Sequence, residues 1–227
     1  MLDELPWKQT NAGILLAREN SIKKRDVGFY PYFKRCMDVL LVLLSLPIIL
    51  PLMIAIGTLV SLDGGSPLYS QQRVGRNGKI FKFWKLRSMV PDAKSALAKY
   101  LENCPEARAE WETTQKLKCD PRLTYLGRYL RRYSLDELPQ LWNVLVGDMS
   151  LVGPRPMMPE QRTLYPGTAY YSVRPGLTGL WQINARNNCS FAGRAEYDNK
   201  YAMTISARTD IAILYKTVAV VFQGTGC

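Results

Sequence analysis

Two adjacent carboxylates, Asp136 and Glu137, are the residues of this chain best suited to chemistry, because no histidine is present to act as a base. Ser134 precedes Glu137 by three residues and an apolar run follows, a pattern that predicts a capping box at the start of an amphipathic helix. The free amide groups and dipole of a helix start favour a bound phosphate. The alternative is that Ser134 and Glu137 only cap the helix and Asp136 only complements its dipole.

Basic residues surround this stretch in the sequence. Several arginines come just before it, and two more lie beside prolines downstream, where the fixed proline backbone aims a guanidinium group. A lysine of an upstream strand, Lys85, follows an aromatic residue and is a further candidate for binding phosphate, although solvated strand lysines are commoner. The arginines are Arg122, Arg128, Arg131 and Arg132 before the stretch, and Arg155 and Arg174 after it.

Composition limits the class of protein. A chain of 227 residues that is 47% apolar can bury a core, and its length suggests one domain with appendages. The net charge of +11 indicates an anionic partner such as nucleic acid, anionic lipid or a phosphorylated substrate. The lack of histidine also removes the commonest zinc ligand. Five widely spaced cysteines without a CxxC pair indicate neither a disulfide framework nor a zinc site, and favour a reducing, cytosolic environment.

Residues 39–60 carry no charged side chain and have the length of a membrane-embedded helix. Pro47 and Pro51 lie inside this run and predict a kink. Basic residues flank it on both sides, so both flanks look cytoplasmic, and a re-entrant helix that enters and leaves by one membrane face reconciles them. A bent spanning helix and a buried core helix remain alternatives.

The remaining patterns predict an α+β fold, mostly helical, with one small antiparallel β-hairpin. The hairpin is expected at residues 68–74 and 79–86, around the turn signal Asn77-Gly78. Polar helices are expected from Asp92 to about Asn103 and from Pro105 to Lys118. The apolar run at 211–222 is too short to span a membrane and predicts a core helix or one lying in the interface. We therefore expect an N-terminal arm at 1–33, a re-entrant helix at 34–62 and a cytosolic domain at 63–227.

Six motifs in order make the chain resemble the bacterial sugar transferases, the small monotopic polyprenyl-phosphate phosphoglycosyl transferases. The resemblance covers about residues 33–222, and it is closest to the short type that initiates exopolysaccharide synthesis. Leu46 stands before Pro47 where some relatives have serine. The motifs are Phe33-Lys34-Arg35 through Asp38, Gln72-Arg73-Val74-Gly75, Phe83-Trp84-Lys85-Leu86-Arg87-Ser88-Met89, Ser134-Leu135-Asp136-Glu137-Leu138-Pro139-Gln140-Leu141, Gly147-Asp148-Met149-Ser150 with Gly153-Pro154-Arg155-Pro156, and Arg174-Pro175-Gly176-Leu177-Thr178-Gly179.

The resemblance implies an enzyme of the cytoplasmic face of the bacterial inner membrane. It would transfer a sugar 1-phosphate from a UDP-sugar to undecaprenyl phosphate and release UMP, as the first membrane step of exopolysaccharide or O-antigen synthesis. Asp136 would be the nucleophile that forms a covalent phosphosugar intermediate, Glu137 its partner, and both would hold Mg²⁺. Lys85, Arg131, Arg155 and Arg174 would bind phosphate oxygens, or else pair with nearby carboxylates. The sugar and the oligomeric state stay open, with galactose or glucose suggested.

Two other functions compete with this hypothesis. A basic membrane-anchored protein that binds nucleic acid would explain the charge, but the chain has no evident aromatic platform or helix-turn-helix pattern, so no nucleic-acid partner is expected. A scaffold that recruits other transferases without catalysis would share the fold. It would differ in activity alone.

Overall fold

The computed structural model describes residues 29–114, 117, 120–184 and 190–223. Most of the predicted N-terminal arm, residues 1–28, lies outside this range. The elements are mostly helical, as predicted. They are α1 Tyr30–Ser61, β1 Leu68–Val74, β2 Ile80–Leu86, α2 Ala93–Asn103, α3 Pro105–Thr114, α4 Tyr125–Arg132, α5 Gln140–Val146, β3 Ser150–Val152, α6 Ala169–Ser172, β4 Gly176–Thr178, α7 Leu180–Asn184, α8 Arg194–Thr204 and α9 Ala207–Phe222, with 3-10 turns at Arg76–Gly78, Leu135–Glu137 and Pro159–Leu164.

The first helix, α1, is long and apolar enough to cross a membrane, and within the described residues it is the one helix that is. Only 11% of an apolar stretch of 18 residues in this helix is buried by protein. The core helix of a soluble protein is mostly buried, so this exposure favours the two membrane alternatives over a core helix. Pro47 and Pro51 both lie inside the helix. Over 32 residues a straight helix would be ~48 Å long, more than the ~30 Å of a hydrocarbon core.

Polar side chains on one face of α1 fix its first turns to residues late in the chain. The Lys34 ammonium lies 2.6 Å from Oδ2 of Asp210 in α9, and the Tyr30 hydroxyl donates to the same oxygen at 2.6 Å. One turn further on, Asp38 accepts hydrogen bonds from the Ser150 hydroxyl and the Leu151 amide. Lys34, Asp38 and Asp210 are buried. Because a buried charge is costly unless paired, these contacts specify where the start of the helix lies.

The hairpin forms where the sequence predicts it. Strands β1 and β2 pair across a short 3-10 turn, in which Asn77 and Gly78 have φ angles of 57° and 77°. Asparagine and glycine are the residues that tolerate such angles, which explains why this dipeptide marks the turn.

A second, parallel pair of strands was not predicted. Ser150 of β3 aligns with Gly176 of β4, and Val152 with Thr178. A Cβ atom on Gly176 would lie 2.1 Å from the backbone nitrogen of Gly153, so glycine is needed for this close approach. Three-residue strands are too short to show a period in sequence, which is why the prediction missed them.

The chain divides into two units. The first comprises residues 1–44, 72–83 and 141–218, and the second comprises residues 45–71, 84–140 and 219–227. A core of the first unit is made of Val74, Met157, Tyr165, Tyr170 and Ala195. A core of the second unit is made of Ile56, Val60, Leu86 and Leu130, with Leu126 and Leu135 packed against it.

Candidate active site

Asp136 and Glu137 lie in a 3-10 turn, Leu135–Glu137, and not in the first turn of a helix as predicted. The predicted capping box is wrong, because Ser134 has a φ of 57° and its side chain makes no capping hydrogen bond. A left-handed residue turns the chain instead of opening a helix. Helix α5 begins only at Gln140, after Pro139.

The two carboxylates are held by one ammonium group. Nζ of Lys85 lies 3.0 Å from Oδ2 of Asp136 and 3.0 Å from Oε1 of Glu137. The side chains of Asp136 and Glu137 are 6% and 14% exposed, and that of Lys85 is 24% exposed. Lys85 thus forms the ion pair that was the alternative to phosphate binding, and its phosphate-binding role stays a prediction. We call Lys85, Asp136 and Glu137 the acidic cluster.

The surroundings of Asp136 raise the pKa of its carboxyl above the ordinary value. Burial is the largest cause and the neighbouring Glu137 charge adds to it, while Lys85 and Arg131 act in the opposite direction. A carboxylate that is poorly solvated but kept near cations is a better nucleophile than one in water. A buried carboxylate with a raised pKa and a specific charge partner is a candidate functional site.

Arg131 is delivered by helix α4. Thr124 caps this helix by accepting a hydrogen bond from the Gly127 amide. A Cβ atom on Gly127 would lie 1.9 Å from the carbonyl oxygen of Ser88, so glycine lets the helix approach the segment after β2. Nε of Arg131 then donates to the Ser88 hydroxyl at 3.0 Å. Arg131 also lies near enough to Asp136 to lower the pKa of its carboxyl, and its phosphate-binding role stays a prediction.

Apolar side chains next to the site residues in sequence pack into one core. Leu135 and Leu130 flank Asp136 and Arg131 in sequence, and both pack with Leu86, the residue after Lys85. Ile56 and Val60 of α1 belong to the same core. The acidic cluster therefore rests on side chains that connect it to the apolar helix.

Arg155 and Arg174 belong to the first of the two units, whereas the acidic cluster belongs to the second. Arg155 lines a small cavity with Tyr165, Trp181 and Asp198. Nε of Arg174 donates to the backbone carbonyl of Gly147 at 2.9 Å, and burial, together with the positive charges of Arg35 and Arg76, lowers the pKa of its guanidinium. Their phosphate-binding roles stay predictions.

Gln140 is a candidate functional residue that the sequence analysis did not single out from its motif. Its side chain is 1% exposed, and its amide nitrogen makes no hydrogen bond within the described part of the chain. A buried donor without an acceptor is costly and is often kept for function. The signal was available, since Gln140 belongs to the same motif as Asp136.

By themselves, the residues present supply only some of the ligands that a magnesium ion needs. No cluster of three or more acidic, histidine or cysteine ligands occurs in the described ranges. Magnesium is commonly held by one or two carboxylates, with substrate phosphates and water supplying the remaining ligands. Asp136 and Glu137, already gathered around a cation, satisfy that requirement.

Comparisons with known proteins agree with these features. The family model described as "Bacterial sugar transferase" matches residues 29–224. The chain belongs to this family. The predicted resemblance is confirmed, and the matched range includes α1, the acidic cluster and both phosphate-binding candidates of the other unit.

Three relatives show how much of each protein the chain matches. The chain is 44% identical over 215 residues to a "UDP-galactose-lipid carrier transferase" of Erwinia amylovora, and 46% identical over 215 residues to an "Undecaprenyl-phosphate galactose phosphotransferase" of Salmonella typhimurium. Each match covers 94% of this chain and 44% of the relative, so the chain spans less than half their length. It is 44% identical over 196 residues to "Exopolysaccharide production protein ExoY" of Sinorhizobium fredii, covering 85% of this chain and 87% of that protein.

Proposed function

We propose that the protein transfers a sugar 1-phosphate from a UDP-sugar to undecaprenyl phosphate and releases UMP, through a covalent intermediate on Asp136. The observation that carries the proposal is the acidic cluster, in which Asp136 is buried, raised in pKa and held 3.0 Å from an ammonium group. The names of the family relatives support this class of substrates.

The chemistry has two displacements at one phosphorus atom. In the first, a carboxylate oxygen of Asp136 forms a bond to the sugar-side phosphorus and the bond to the UMP oxygen breaks, so UMP leaves with that electron pair. In the second, a phosphate oxygen of undecaprenyl phosphate attacks the same phosphorus and the bond to Asp136 breaks. The products are a diphosphate-linked sugar and the free carboxylate.

Cations at the site offset the repulsion between a carboxylate and a diphosphate. Lys85 and Arg131 supply positive charge next to Asp136. The Lys85 ammonium, held beside the carboxylates, would also offset the negative charge that develops on UMP. Glu137 keeps Lys85 in place and, with Asp136, would hold Mg²⁺, which when bound would neutralise diphosphate charge.

The membrane topology follows from contacts at the start of α1. Beyond Ser61, no helix in the described residues is long and apolar enough to cross a membrane. We therefore place the described residues after Ser61 on one side of the membrane. Lys34 and Tyr30 nevertheless pair with Asp210 in α9. A spanning helix would put these partners on opposite faces. We infer a re-entrant α1, with the domain on the cytoplasmic face of the inner membrane.

Helix α9 supports contact with the same face. The apolar side chains of Ile211, Tyr215, Val218 and Phe222 are 58%, 80%, 56% and 81% exposed, and they recur at helical spacing. The opposite face buries Asp210 and Ile213. This arrangement is typical of a helix lying in the membrane interface, one of the two alternatives for this segment.

One assay separates this function from a scaffold of the same fold. The purified protein is incubated with UDP-galactose or UDP-glucose, Mg²⁺ and undecaprenyl phosphate, and UMP release is measured. We expect multiple turnovers for the natural chain and at least a ~10⁴-fold loss for Asp136→Asn, because the nucleophile is removed. No release from either sugar nucleotide would favour the scaffold, whereas equal release from the natural chain and the variant would show an enzyme whose nucleophile is not Asp136.

A further inference from the structure

A groove runs along the second half of α1 and reaches Leu86, the residue that follows Lys85 of the acidic cluster. It encloses about 440 Å³, within the range of sites that bind small molecules. Its helical side is a single stripe of α1, and its other side comes from the loop before β1 and from the two strands. The lining residues are Leu50, Met53, Ile54, Gly57, Thr58, Ser61, Pro67, Leu68 and Leu86.

The groove is apolar even where its residues carry hydroxyl groups. Thr58 donates its hydroxyl proton to the Ile54 carbonyl at 2.9 Å, and Ser61 donates to the Gly57 carbonyl at 2.9 Å. Both hydroxyl groups are thereby turned back onto the helix, and their hydrocarbon parts are left to line the groove. An apolar surface inside a membrane segment is suited to a hydrocarbon chain and not to a polar ligand.

The groove is polar at one end only. Leu50 and Met53 lie at the end toward the middle of α1, whereas Ser61 lies at the helix terminus. Near that terminus Arg87 donates to the carbonyls of Val60 and Ser66 and pairs with Asp63. A ligand in the groove would therefore have its tail along α1 and its head near strand β2.

Leu86 connects the groove to the acidic cluster. It lines the groove and also packs in the core that contains Leu130 and Leu135, the neighbours of Arg131 and Asp136. Lys85, one residue before it, holds both carboxylates. An amphiphile with its chain in the groove would have its head toward β2, the strand that carries Lys85, and a cation there would favour an anionic head such as phosphate.

We propose that this groove binds the isoprenoid chain of the polyprenyl phosphate acceptor, an assignment that rests on the proposed function. Gly57 lines the groove, and a Cβ atom added there would meet Pro67 at an ordinary contact distance of 3.8 Å and nothing closer. A leucine at this position is therefore expected to fold and to fill the groove.

The test compares Gly57→Leu with Ala55→Leu, which makes a similar increase in size on the opposite, exposed face of α1. We expect Gly57→Leu to raise the KM for undecaprenyl phosphate about tenfold, as displacing roughly two buried methylene groups would do. The single release of UMP without a lipid acceptor should stay unchanged, because that step uses no isoprenoid. Ala55→Leu should change neither. Equal KM values for the two variants would overturn the proposal.

A binding measurement keeps the test independent of turnover. A polyprenyl phosphate with a diazirine group on its first isoprene units is photolysed with the natural protein, and crosslinked peptides are mapped. We expect labelling at Met53 or Ile54 that unlabelled polyprenyl phosphate suppresses and an equal amount of phosphatidylglycerol does not. Equal suppression by phosphatidylglycerol would assign the groove to bulk lipid. Failure of the proposed function would abolish UMP release but leave this labelling readable.

Discussion

Lys85 illustrates how one side chain determines the properties of the site. Two adjacent carboxylates in a buried turn would repel each other, and protonation would relieve that repulsion at the expense of nucleophilicity. The ammonium group, 3.0 Å from each, opposes this by stabilising both charges. Burial raises the pKa of Asp136, and Lys85 and Arg131 cancel only part of this increase, so the pKa stays above its ordinary value.

The first prediction concerns Lys85→Met. Removing the ammonium should raise the pKa of Asp136 further, so the acidic limb of the pH–rate profile should move to higher pH by ~1–3 units. The sign follows because Asp136 must be ionised to attack. Profiles of kcat/KM between pH 5 and 9 measure it. Lys82→Met is the matched control, since Lys82 lies on the same strand and is exposed. An unmoved limb in Lys85→Met would contradict the assignment of the nucleophile.

Asp198 provides a second prediction at the residue scale. Burial raises the pKa of its carboxyl to about 6, although a hydrogen bond from Tyr165 and the charge of Arg194 act against the shift. The folded state therefore holds this proton more tightly than the unfolded state. The resulting stability is present below the ordinary pKa near 4 and is lost as the pH rises through 6.

Asp198→Asn should remove this pH dependence. Between pH 4.5 and 7.5 the natural protein should lose about 2 kcal/mol of stability that the variant does not lose. Thermal midpoints in detergent across this range measure the difference. Glu196→Gln, an exposed substitution in the same helix, should follow the natural protein. Parallel curves for Asp198→Asn and the natural protein would show that the carboxyl is not shifted.

At the scale of elements, the sequence was informative where a local signal decides the structure. Asn77-Gly78 predicted the hairpin because few residues accept its backbone angles. The uncharged run predicted α1 because, among the described residues, no other helix is long and apolar enough to cross a membrane. Ser134 misled the prediction, since a serine in the left-handed region has no sequence signal that separates it from a cap. The parallel pairing of β3 with β4 is set by tertiary contacts of Gly153 and Gly176, which short strands do not encode locally.

The third prediction tests the topology of α1. In a cysteine-free background, a single cysteine at Asn11 should not react with an impermeant thiol reagent added to intact spheroplasts, because a re-entrant helix keeps it in the cytosol. Lys34→Met combined with Pro47→Ala should increase labelling, since one change leaves buried Asp210 without its ammonium partner and the other removes a helix break.

Leu44→Ala, at an exposed position of the same helix, is the control and should stay unlabelled. A thiol at residue 11 that reacts from outside in the otherwise natural sequence would establish a spanning helix. The pairing of Lys34 with Asp210 would then need another explanation.

At the scale of the whole molecule, motifs predicted more than secondary structure did. The membership of the family followed from the ordered motifs. Two of these motifs carry Lys85 and the pair Asp136 and Glu137, which lie within 3.0 Å of the Lys85 ammonium. The groove beside α1 was not predictable, since it depends on Leu86 and Pro67 meeting a stripe of α1 from a distant part of the chain. The net charge of +11 fits the same account, as basic residues favour an anionic membrane surface and anionic substrates.

The central claim, that Asp136 carries the sugar phosphate, is tested most directly by intact-protein mass spectrometry in the absence of acceptor. The protein is mixed with UDP-galactose or UDP-glucose and Mg²⁺, without polyprenyl phosphate. We predict release of about one UMP per enzyme and a mass increase of one hexose phosphate that maps to Asp136 and is absent from Asp136→Asn. UMP that appears only when polyprenyl phosphate is added, with no adduct at any time, would contradict the covalent route and indicate direct attack by the lipid phosphate.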